Sequence, residues 1–282
     1  MTETKEFEPH RSCLAGLAYR MLGSVAEAED VVQDAYLRWA QADTSTVAHP
    51  RAYLARVVTR LCLDRMKSAT ARREQYVGTW LPEPIVAEPA APMADDLSIA
   101  LLLTLERLSS LERAAFLLHD VFDMDYGDIA TTLGRTEESC RQLAARARQH
   151  VRDERPRFAA TDEKRDRLFA AFEAVMTSGD VTEFAQLLAD DAVLYADGGG
   201  KRAAALEPIR GKHNILNLFA AVLAQRGVFQ RDELRRASIN GLPGFVVRIE
   251  DGVQTTAFEV NGDHIVALYT VRNPDKLRHL VS

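Results

Sequence analysis

The sequence predicts a multidomain protein in which two all-α domains precede a single α+β domain. Three observations predict this architecture. The chain has 282 residues, enough for two or three domains. Residues 7–74 and 97–155 show helical periodicity without strand signals, and residues 192–271 add the alternating apolar runs of strands. Between the helical segments, residues 82–92 contain four prolines, which forbid a continuous helix and favour an extended linker.

Composition excludes several classes of protein. Hydrophobic residues make up 47% and charged residues 27%, which is ordinary for a folded soluble chain. The net charge of −6 is concentrated in residues 81–96, which carry four acids and no base, whereas 51–73 and 141–157 are basic. No apolar run approaches the roughly 18–20 residues that span a bilayer. Three scattered cysteines offer neither a metal motif nor a disulfide framework. We therefore expect a cytoplasmic protein with no membrane association, metal or cofactor.

The first helical module ends one helix at Gly23 and begins the next with Ser24 as its N-cap. One face of the second helix is apolar and is expected to be buried. Another face is acidic with one exposed leucine, which suits a protein partner with basic residues, although a plain solvated surface is the alternative. The apolar face holds Ala28, Val32, Ala35 and Trp39, and the acidic face holds Asp30, Gln33, Asp34 and Leu37.

A third helix starts at Pro50 and carries a buried stripe at Leu54, Val57 or Val58, and Leu61. Between residues 51 and 73 the chain has seven bases and one acid. Basic side chains beside an aromatic ring are the combination that holds single-stranded nucleic acid. The residues proposed for this role are Tyr53, Arg56, Arg60, Lys67, Arg72 and Arg73.

The second helical module predicts a helix-turn-helix. A helix at 111–119 is followed by a short helix that Gly134 ends, and Thr136 then caps a longer helix reaching about residue 152. Its buried stripe would be Cys140, Ala144, Ala147 and Val151. Arginine and glutamine read guanine and adenine edges, so the opposite face favours DNA over a plain helical hairpin. That face carries Glu138, Arg141, Gln142, Ala145, Arg146 and Arg148.

Two segments resemble the second conserved region of ECF-type bacterial sigma factors: EAEDVVQDAYLRW at 27–39 and PRAYLARVVTRLCLD at 50–64. Residues 97–155 resemble the fourth region. The resemblance implies that the acidic face contacts core RNA polymerase, that the basic helix holds the −10 strand and that the last helix reads the −35 element. Tyr53 stands where many members have tryptophan. The loop at 41–49 is expected to hold an unpaired base. The expected domains are 1–75, 97–158 and 162–282, with 76–96 as linker.

Three further motifs resemble one ECF subgroup whose C-terminal domain is similar to the NTF2/SnoaL cone fold: WLPEP at 80–84, DGGGK at 197–201 and NPDKL at 273–277. The resemblance implies that this domain contacts the sigma core near the linker and tunes polymerase binding. We predict that the first motif packs against one or both of the others. The proposed interface comprises Trp80, Leu81, Pro82, Asp197, Gly198, Gly199, Gly200, Lys201, Asn273, Pro274, Asp275, Lys276 and Leu277.

Two alternatives remain open. Relatives of the cone fold include enzymes, and an isomerase-like reaction needs an aspartate and a tyrosine at one apolar pocket. The three glycines lack P-loop spacing, so a flexible turn is the expectation. A ligand-sensing DNA-binding regulator, with a small molecule in the cone, is the second alternative, but it has no use for the 27–39 helix. The sequence favours absent catalysis, and the catalytic candidates would be Asp191, Tyr195, Asp197, His213, Asp263, His264 and Tyr269.

Overall fold

The computed structural model describes residues 2–43, 47–74, 76–88, 99–153, 162–250 and 252–280. The chain divides into two compact units. The helical unit comprises residues 1–75 and 101–155, and the cone unit comprises residues 76–100 and 156–282. The segment expected to be a linker thus clusters with the cone unit.

Short-range signals define the first three helices of the helical unit. Gly23 leaves the first helix with φ of 70°, and the Ser24 side chain accepts from the amide of Glu27 to cap the second. Trp39 is fully buried and its ring lies 5.6 Å from that of Tyr53. The predicted apolar face of the second helix is confirmed as buried. The helices are α1 (Thr2–Leu22), α2 (Val25–Gln41) and α3 (Pro50–Glu74).

The last two of the remaining helices in this unit, α6 and α7, form the predicted helix-turn-helix. Gly134 caps its first helix in the left-handed conformation, and Thr136 accepts from the amide of Ser139 at the start of the second. All four residues of the predicted stripe from Cys140 to Val151 are buried. The helices are α4 (Ile99–Arg107), α5 (Ser110–Phe116), α6 (Tyr126–Leu133) and α7 (Glu137–Asp153).

The helix predicted at 111–119 differs from the observed one. Helix α5 ends at Phe116, and a wider π-helical turn follows from Leu117 to Val121. The amide of Phe122 bonds to the carbonyl of Leu117, and Asp123 has φ of 56°, so the chain leaves the helix there. This turn brings the side chains of residues 119 and 120 to the helix-turn-helix.

The cone unit places three helices against one curved sheet, in the predicted order of elements. The helices are α8 (Asp162–Ser178), α9 (Thr182–Leu187) and α10 (Lys212–Arg226). The strands are β1 (Val86–Ala87), β2 (Leu188–Asp197), β3 (Ile209–Arg210), β4 (Leu234–Ile239), β5 (Leu242–Ile249), β6 (Gly252–Asn261) and β7 (His264–Val271). Their order in the sheet is β1-β4-β5-β6-β7-β2-β3, with β2 parallel to β7 and the other pairs antiparallel.

Phenylalanine rings fill the interior of the cone. The ring of Phe172 lies 4.9 Å from that of Phe258 and 5.0 Å from that of Phe245, typical spacings of packed aromatic pairs. Rings from all three helices join this cluster. The other members are Phe169, Phe184 and Phe219.

Part of the expected linker belongs to this sheet. Val86 pairs with Ile239 on the edge strand β4, and Ile85 exchanges hydrogen bonds with Asn240 just beyond it. Residues 76–88 are non-helical, as the prolines predict, and β1 closes one edge of the sheet.

Candidate nucleic-acid and polymerase interfaces

The acidic face of α2 is assembled as the sequence predicts. Gln33 and Asp30 are exposed, and Leu37, which is 49% exposed, adds an apolar side chain to the same face. Arg65 on α3 donates to the Asp34 carboxylate at 2.9 Å and lies 3.6 Å from the carboxylate of Asp30. The basic side chain of Arg65 therefore orders this face from the neighbouring helix.

Among the described residues, the basic face of α3 is partly buried and partly paired with other side chains. Tyr53 is half-buried against Trp39, and Lys67 pairs with Asp64 at the surface. The side chains of Arg72 and Arg73, and residues 44–46 of the expected base-holding loop, lie outside the described residues.

Arg56 and Arg60 contact the helix-turn-helix. The Arg60 guanidinium donates to the carbonyl oxygens of Thr131 at 3.0 Å and Thr132 at 3.3 Å, at the C-terminal end of α6. The Arg56 guanidinium lies 3.5 Å from the Asp128 carboxylate. The sequence predicts both arginines as ligands of single-stranded DNA, but here they bind a helix of the same unit. About 70 residues of chain separate the partners, so local patterns give no sign of the contact.

A buried arginine joins the two helical modules. Arg113 on α5 is 1% exposed and donates to the carbonyl of Met21, at the end of α1, at 2.6 Å. It also pairs with Glu106 at 2.8 Å. Burial lowers the pKa of its guanidinium to about 10, so it stays charged at neutral pH. Sequence reasoning missed Arg113 because an arginine on an amphipathic helix is ordinarily exposed.

The outer face of α7 presents most of the residues predicted to read DNA. Glu138, Gln142 and Ala145 are exposed. Arg141 is also exposed; it donates to Glu137 at 2.8 Å, and its guanidinium lies 5.2 Å from the centre of the Tyr126 ring. Arg146 is exposed and lies 3.7 Å from the carboxylate of Glu112.

Arg148 differs from this group because the helical unit itself binds it. Its Nε donates to Asp120 at 2.7 Å and its Nη2 donates to the Tyr126 hydroxyl at 3.1 Å. The Asp120 carboxylate raises the pKa of Arg148 above its ordinary value. Asp120 belongs to the π-helical turn, so its nearness to α7 is a feature that the sequence does not reveal.

In the cone unit the three motifs meet at the carboxylate of Asp197, which is fully buried at the end of β2. It accepts from the Tyr76 hydroxyl at 2.5 Å, from the amide of Leu81 at 2.9 Å and from the Lys276 ammonium at 2.7 Å. Burial, and then the hydrogen bond to Asp197, raises the pKa of Tyr76. Sequence reasoning missed Tyr76, which lies just outside the WLPEP motif.

Lys276 binds the first motif in two ways. Its ammonium donates to the carbonyl of Leu81 and lies 4.2 Å from the centre of the Trp80 ring. Leu81 and Pro82 are buried, and the imidazole of His279 lies 2.9 Å from the carbonyl of Pro84. The structure thus packs WLPEP against residues of both DGGGK and NPDKL.

Close packing requires glycine at positions 198 and 199, and Gly200 also has a close neighbour. A β-carbon on Gly198 would lie 2.1 Å from the carbonyl oxygen of Arg202, and one on Gly199 would lie 2.2 Å from the amide nitrogen of Asn273. One on Gly200 would lie 3.2 Å from Val77. The sequence predicts a flexible turn here, whereas the structure gives each glycine a close neighbour.

The polar ends of the motifs also bind one another. The Asn273 side chain donates to the Tyr76 hydroxyl at 2.8 Å. Lys201 donates to Asp275 at 2.5 Å, and this bond holds the pKa of Asp275 below its ordinary value. Pro274 begins a short 3₁₀ helix, and Leu277 behind it is buried.

The catalytic candidates are dispersed. Asp197 is occupied by three donors, and Tyr269 donates to Glu259 at 2.5 Å while its ring stacks on Tyr195. Asp191, His213, Asp263 and His264 are exposed at the surface. Across the described part of the chain, these side chains do not converge on one apolar pocket. The same residues contain no cluster of metal-binding side chains and no helix long and apolar enough to cross a membrane.

Comparisons with known proteins match both helical modules and the whole chain. The model of Sigma-70 region 2 matches residues 7–72, and that of Sigma-70 region 4 matches residues 98–151. The chain is 38% identical to the ECF RNA polymerase sigma factor SigJ of Mycobacterium tuberculosis, over 97% of this chain and 93% of that one. It is 36% identical to the probable ECF sigma factor SigI of the same species, over 64% of each chain. The crystal structure of SigJ superposes with a TM-score of 0.79 and 34% identity, covering 98% of both chains.

Replacing Asp197 tests the motif cluster. Asp197→Asn keeps the shape but leaves the Lys276 ammonium without its buried counter-charge, so we expect the cone unit to lose about 3–5 kcal/mol of stability. Urea unfolding and hydrogen exchange of the Leu81 amide measure the effect. Asp263→Asn, which removes a carboxylate paired with Lys164 at the surface, is the control and should leave both unchanged. Equal behaviour of the two variants would contradict the assignment.

Alanine substitutions at two glycines distinguish the cost of steric crowding from the cost of backbone strain. Gly199 and Gly262 have φ of 60° and 64°, but a β-carbon on Gly262 meets no atom within 4 Å. Both alanine variants carry the cost of a positive φ. We expect Gly199→Ala to lose about 1–3 kcal/mol more than Gly262→Ala, because its methyl group collides with Asn273. Thermal unfolding of the two variants measures this difference, and similar melting temperatures would argue against close packing.

Proposed function

This chain belongs to the ECF family of RNA polymerase sigma factors, and we propose that its helical unit makes the polymerase and promoter contacts while its cone unit controls them. A sigma factor directs core RNA polymerase to promoters, so its partners are the polymerase and promoter DNA. We place its action in the cytoplasm and propose no reaction for the cone unit. The functional domains we propose are 1–75 for polymerase and the −10 element, 97–158 for the −35 element and 162–282 for regulation.

We propose that the acidic face of α2 docks on the polymerase. Asp30, Gln33, Asp34 and Leu37 combine carboxylates with one exposed apolar side chain, which suits a basic protein surface with an apolar depression. Arg65 neutralises part of this face and fixes Asp34, so the face is ordered before binding.

For the −10 strand we propose Tyr53, Arg56, Arg60 and Lys67, continued by Arg72 and Arg73. The contacts of Arg56 and Arg60 with α6 support an order of events. The carbonyl oxygens of Thr131 and Thr132 compete with a DNA phosphate for the Nε and Nη2 donors of Arg60. The free chain should therefore bind the −10 strand weakly, and polymerase should favour the separated arrangement by holding each module.

For the −35 element we propose the exposed face of α7. Arg141 and Gln142 would read base edges, Ala145 would allow close approach and Arg146 would meet phosphate. Glu138 lies in the first turn of the helix, where a carboxylate is favourable. The internal contacts of Arg148 favour a supporting role over a phosphate contact.

The observation that carries the regulatory proposal is the capture of residues 76–88 by the cone unit. This segment follows α3 and precedes α4, so it lies on the covalent path between the two promoter-binding modules. Its hydrogen bonds to Asp197 and Lys276 shorten the chain available for separating those modules. Because the contact is intramolecular, a weak interface suffices. The phenylalanine rings inside the cone favour this role over a small-molecule site.

In-vitro run-off transcription with core polymerase tests the main proposal. We expect a promoter-specific transcript from the full chain and a changed yield from a chain truncated after residue 158. Asp197→Asn in the full chain should raise the yield when sigma is limiting, because it frees the segment between the modules; Asp263→Asn should not. Absence of a transcript from every chain would refute the sigma role, and equal yields would refute regulation.

Substitutions on α7 and α3 should have different signatures. Arg141→Ala should cost about 1–3 kcal/mol at one −35 base pair and relax the preference there, because one bidentate contact is lost. Arg60→Ala should weaken binding of −10 strands of any sequence and reduce the salt dependence. Holoenzyme binding to a set of single-base promoter variants at two salt concentrations separates the two effects. The assignment fails if Arg141→Ala lowers all affinities equally.

A further inference from the structure

Tyr126, the first residue of α6, contacts two arginines of the recognition helix α7 at once. Its ring lies under the guanidinium of Arg141, 5.2 Å from ring centre to Cζ. Its hydroxyl accepts from Nη2 of Arg148 at 3.1 Å. Arg141 and Arg148 are seven residues apart, two helical turns, so both project from one side of α7. One aromatic side chain thus spans the stretch of helix that carries the proposed base readers.

The ring of Tyr126 is itself fixed by the π-helical turn. The imidazole of His119 stacks on it, with ring centres 4.3 Å apart and planes inclined by 29°. The Nδ1 atom of His119 lies 2.9 Å from the carbonyl oxygen of Met124, and because a carbonyl only accepts, Nδ1 donates. Because His119 is hydrogen-bonded to the backbone, its contact with Tyr126 fixes the position of the tyrosine ring.

Each arginine also has a carboxylate partner, and the two arginines differ in which nitrogens are bonded and in how exposed the side chain is. Arg148 uses Nε on Asp120 and Nη2 on Tyr126, and its side chain is 30% exposed. Arg141 uses Nη2 on Glu137, and its side chain is 56% exposed. Arg148 is thus held by the helical unit as a support, whereas Arg141 lies over the Tyr126 ring with more than half of its side chain exposed. The contacts with the Tyr126 ring and with Glu137 restrict the rotamers of Arg141 before any base is bound.

We infer that Tyr126 is a positioning residue for −35 recognition: its ring orients Arg141, and its hydroxyl fixes α7 through Arg148. This inference rests on the proposed reading of the −35 element by α7. A flexible arginine must lose rotamer freedom when it binds a base edge, and an arginine already held over a fixed ring has lost part of that freedom before binding. The ring therefore acts on discrimination at the base pair that Arg141 reads, without touching DNA at that pair.

The test uses holoenzyme assembled from core polymerase and the full chain, with a promoter and its single-base −35 variants. Tyr126→Leu removes both ring and hydroxyl, and we expect discrimination at the base pair read by Arg141 to fall about two- to fivefold, as for loss of a cation–π contact. Tyr126→Phe keeps the ring and should retain most of that discrimination. Arg11→Gln is the matched control, because it removes an exposed arginine 5.5 Å from the ring of Phe7 on α1.

Each outcome has a defined meaning. If Arg141→Ala abolishes discrimination at one base pair but Tyr126→Leu does not reduce it, the inference is overturned while the proposed function stands. If Arg141→Ala changes no base preference, the reading of the −35 element by α7 fails. A uniform loss over all promoters with Tyr126→Leu would show a purely structural role and overturn the inference. Loss with Tyr126→Phe equal to that with Tyr126→Leu would overturn the role of the ring.

A second variant distinguishes the loss of the Tyr126 ring from a general disturbance of α7. Asp120→Asn weakens the support of Arg148 without altering the ring of Tyr126. We expect it to leave discrimination at the base pair of Arg141 unchanged, with thermal unfolding recorded for every variant. A loss of that discrimination in Asp120→Asn as large as in Tyr126→Leu would assign the effect to the orientation of α7 and overturn the role of the ring.

Discussion

The arrangement of the three motifs depends on the hydrogen bonds that the buried carboxylate of Asp197 accepts. A carboxylate removed from water costs several kcal/mol unless charge and hydrogen bonds replace its hydration. Here an ammonium, a phenol and a backbone amide do so, and two of these donors come from residues 76–88. The proline-rich segment 76–88 has little helix or sheet of its own. Its hydrogen bonds to the Asp197 carboxylate therefore help to hold it in the cone unit.

Holding that segment has consequences for the helical unit because the two are covalently continuous. The contacts of Arg56 and Arg60 with α6 are few and partly exposed, and such ion pairs are individually weak. They gain strength when a short connection keeps the two modules near each other, since effective concentration replaces intrinsic affinity. Under the proposed function, a domain that shortens this connection would control access to the proposed −10 residues through the connection itself.

Local signals in the sequence were sufficient for most of the elements and their buried faces, although not for the π-helical turn after α5. The caps at Ser24, Gly134 and Thr136 and the stripe from Cys140 to Val151 depend on residues within one or two turns, so periodicity predicts them. Contacts between distant residues were not predictable in this way. Arg113 donates to the backbone carbonyl of Met21, and Arg60 donates to that of Thr131. Every residue has a backbone carbonyl, so the sequence gives no sign of which residue accepts the bond. The WLPEP, DGGGK and NPDKL motifs indicated a cluster, but not that Asp197 lies at its centre.

The arginines show why a count of basic residues overstates the affinity for DNA. Of the seven bases between residues 51 and 73, Arg65 binds carboxylates on α2, Arg56 and Arg60 bind α6, and Lys67 binds Asp64. On α7, Arg148 is directed to Asp120. Each internal partner competes with DNA for its cation, so we expect fewer effective phosphate contacts than there are bases. Together with the net charge of −6, these internal pairs support the proposal that the free chain binds DNA weakly until polymerase holds both modules.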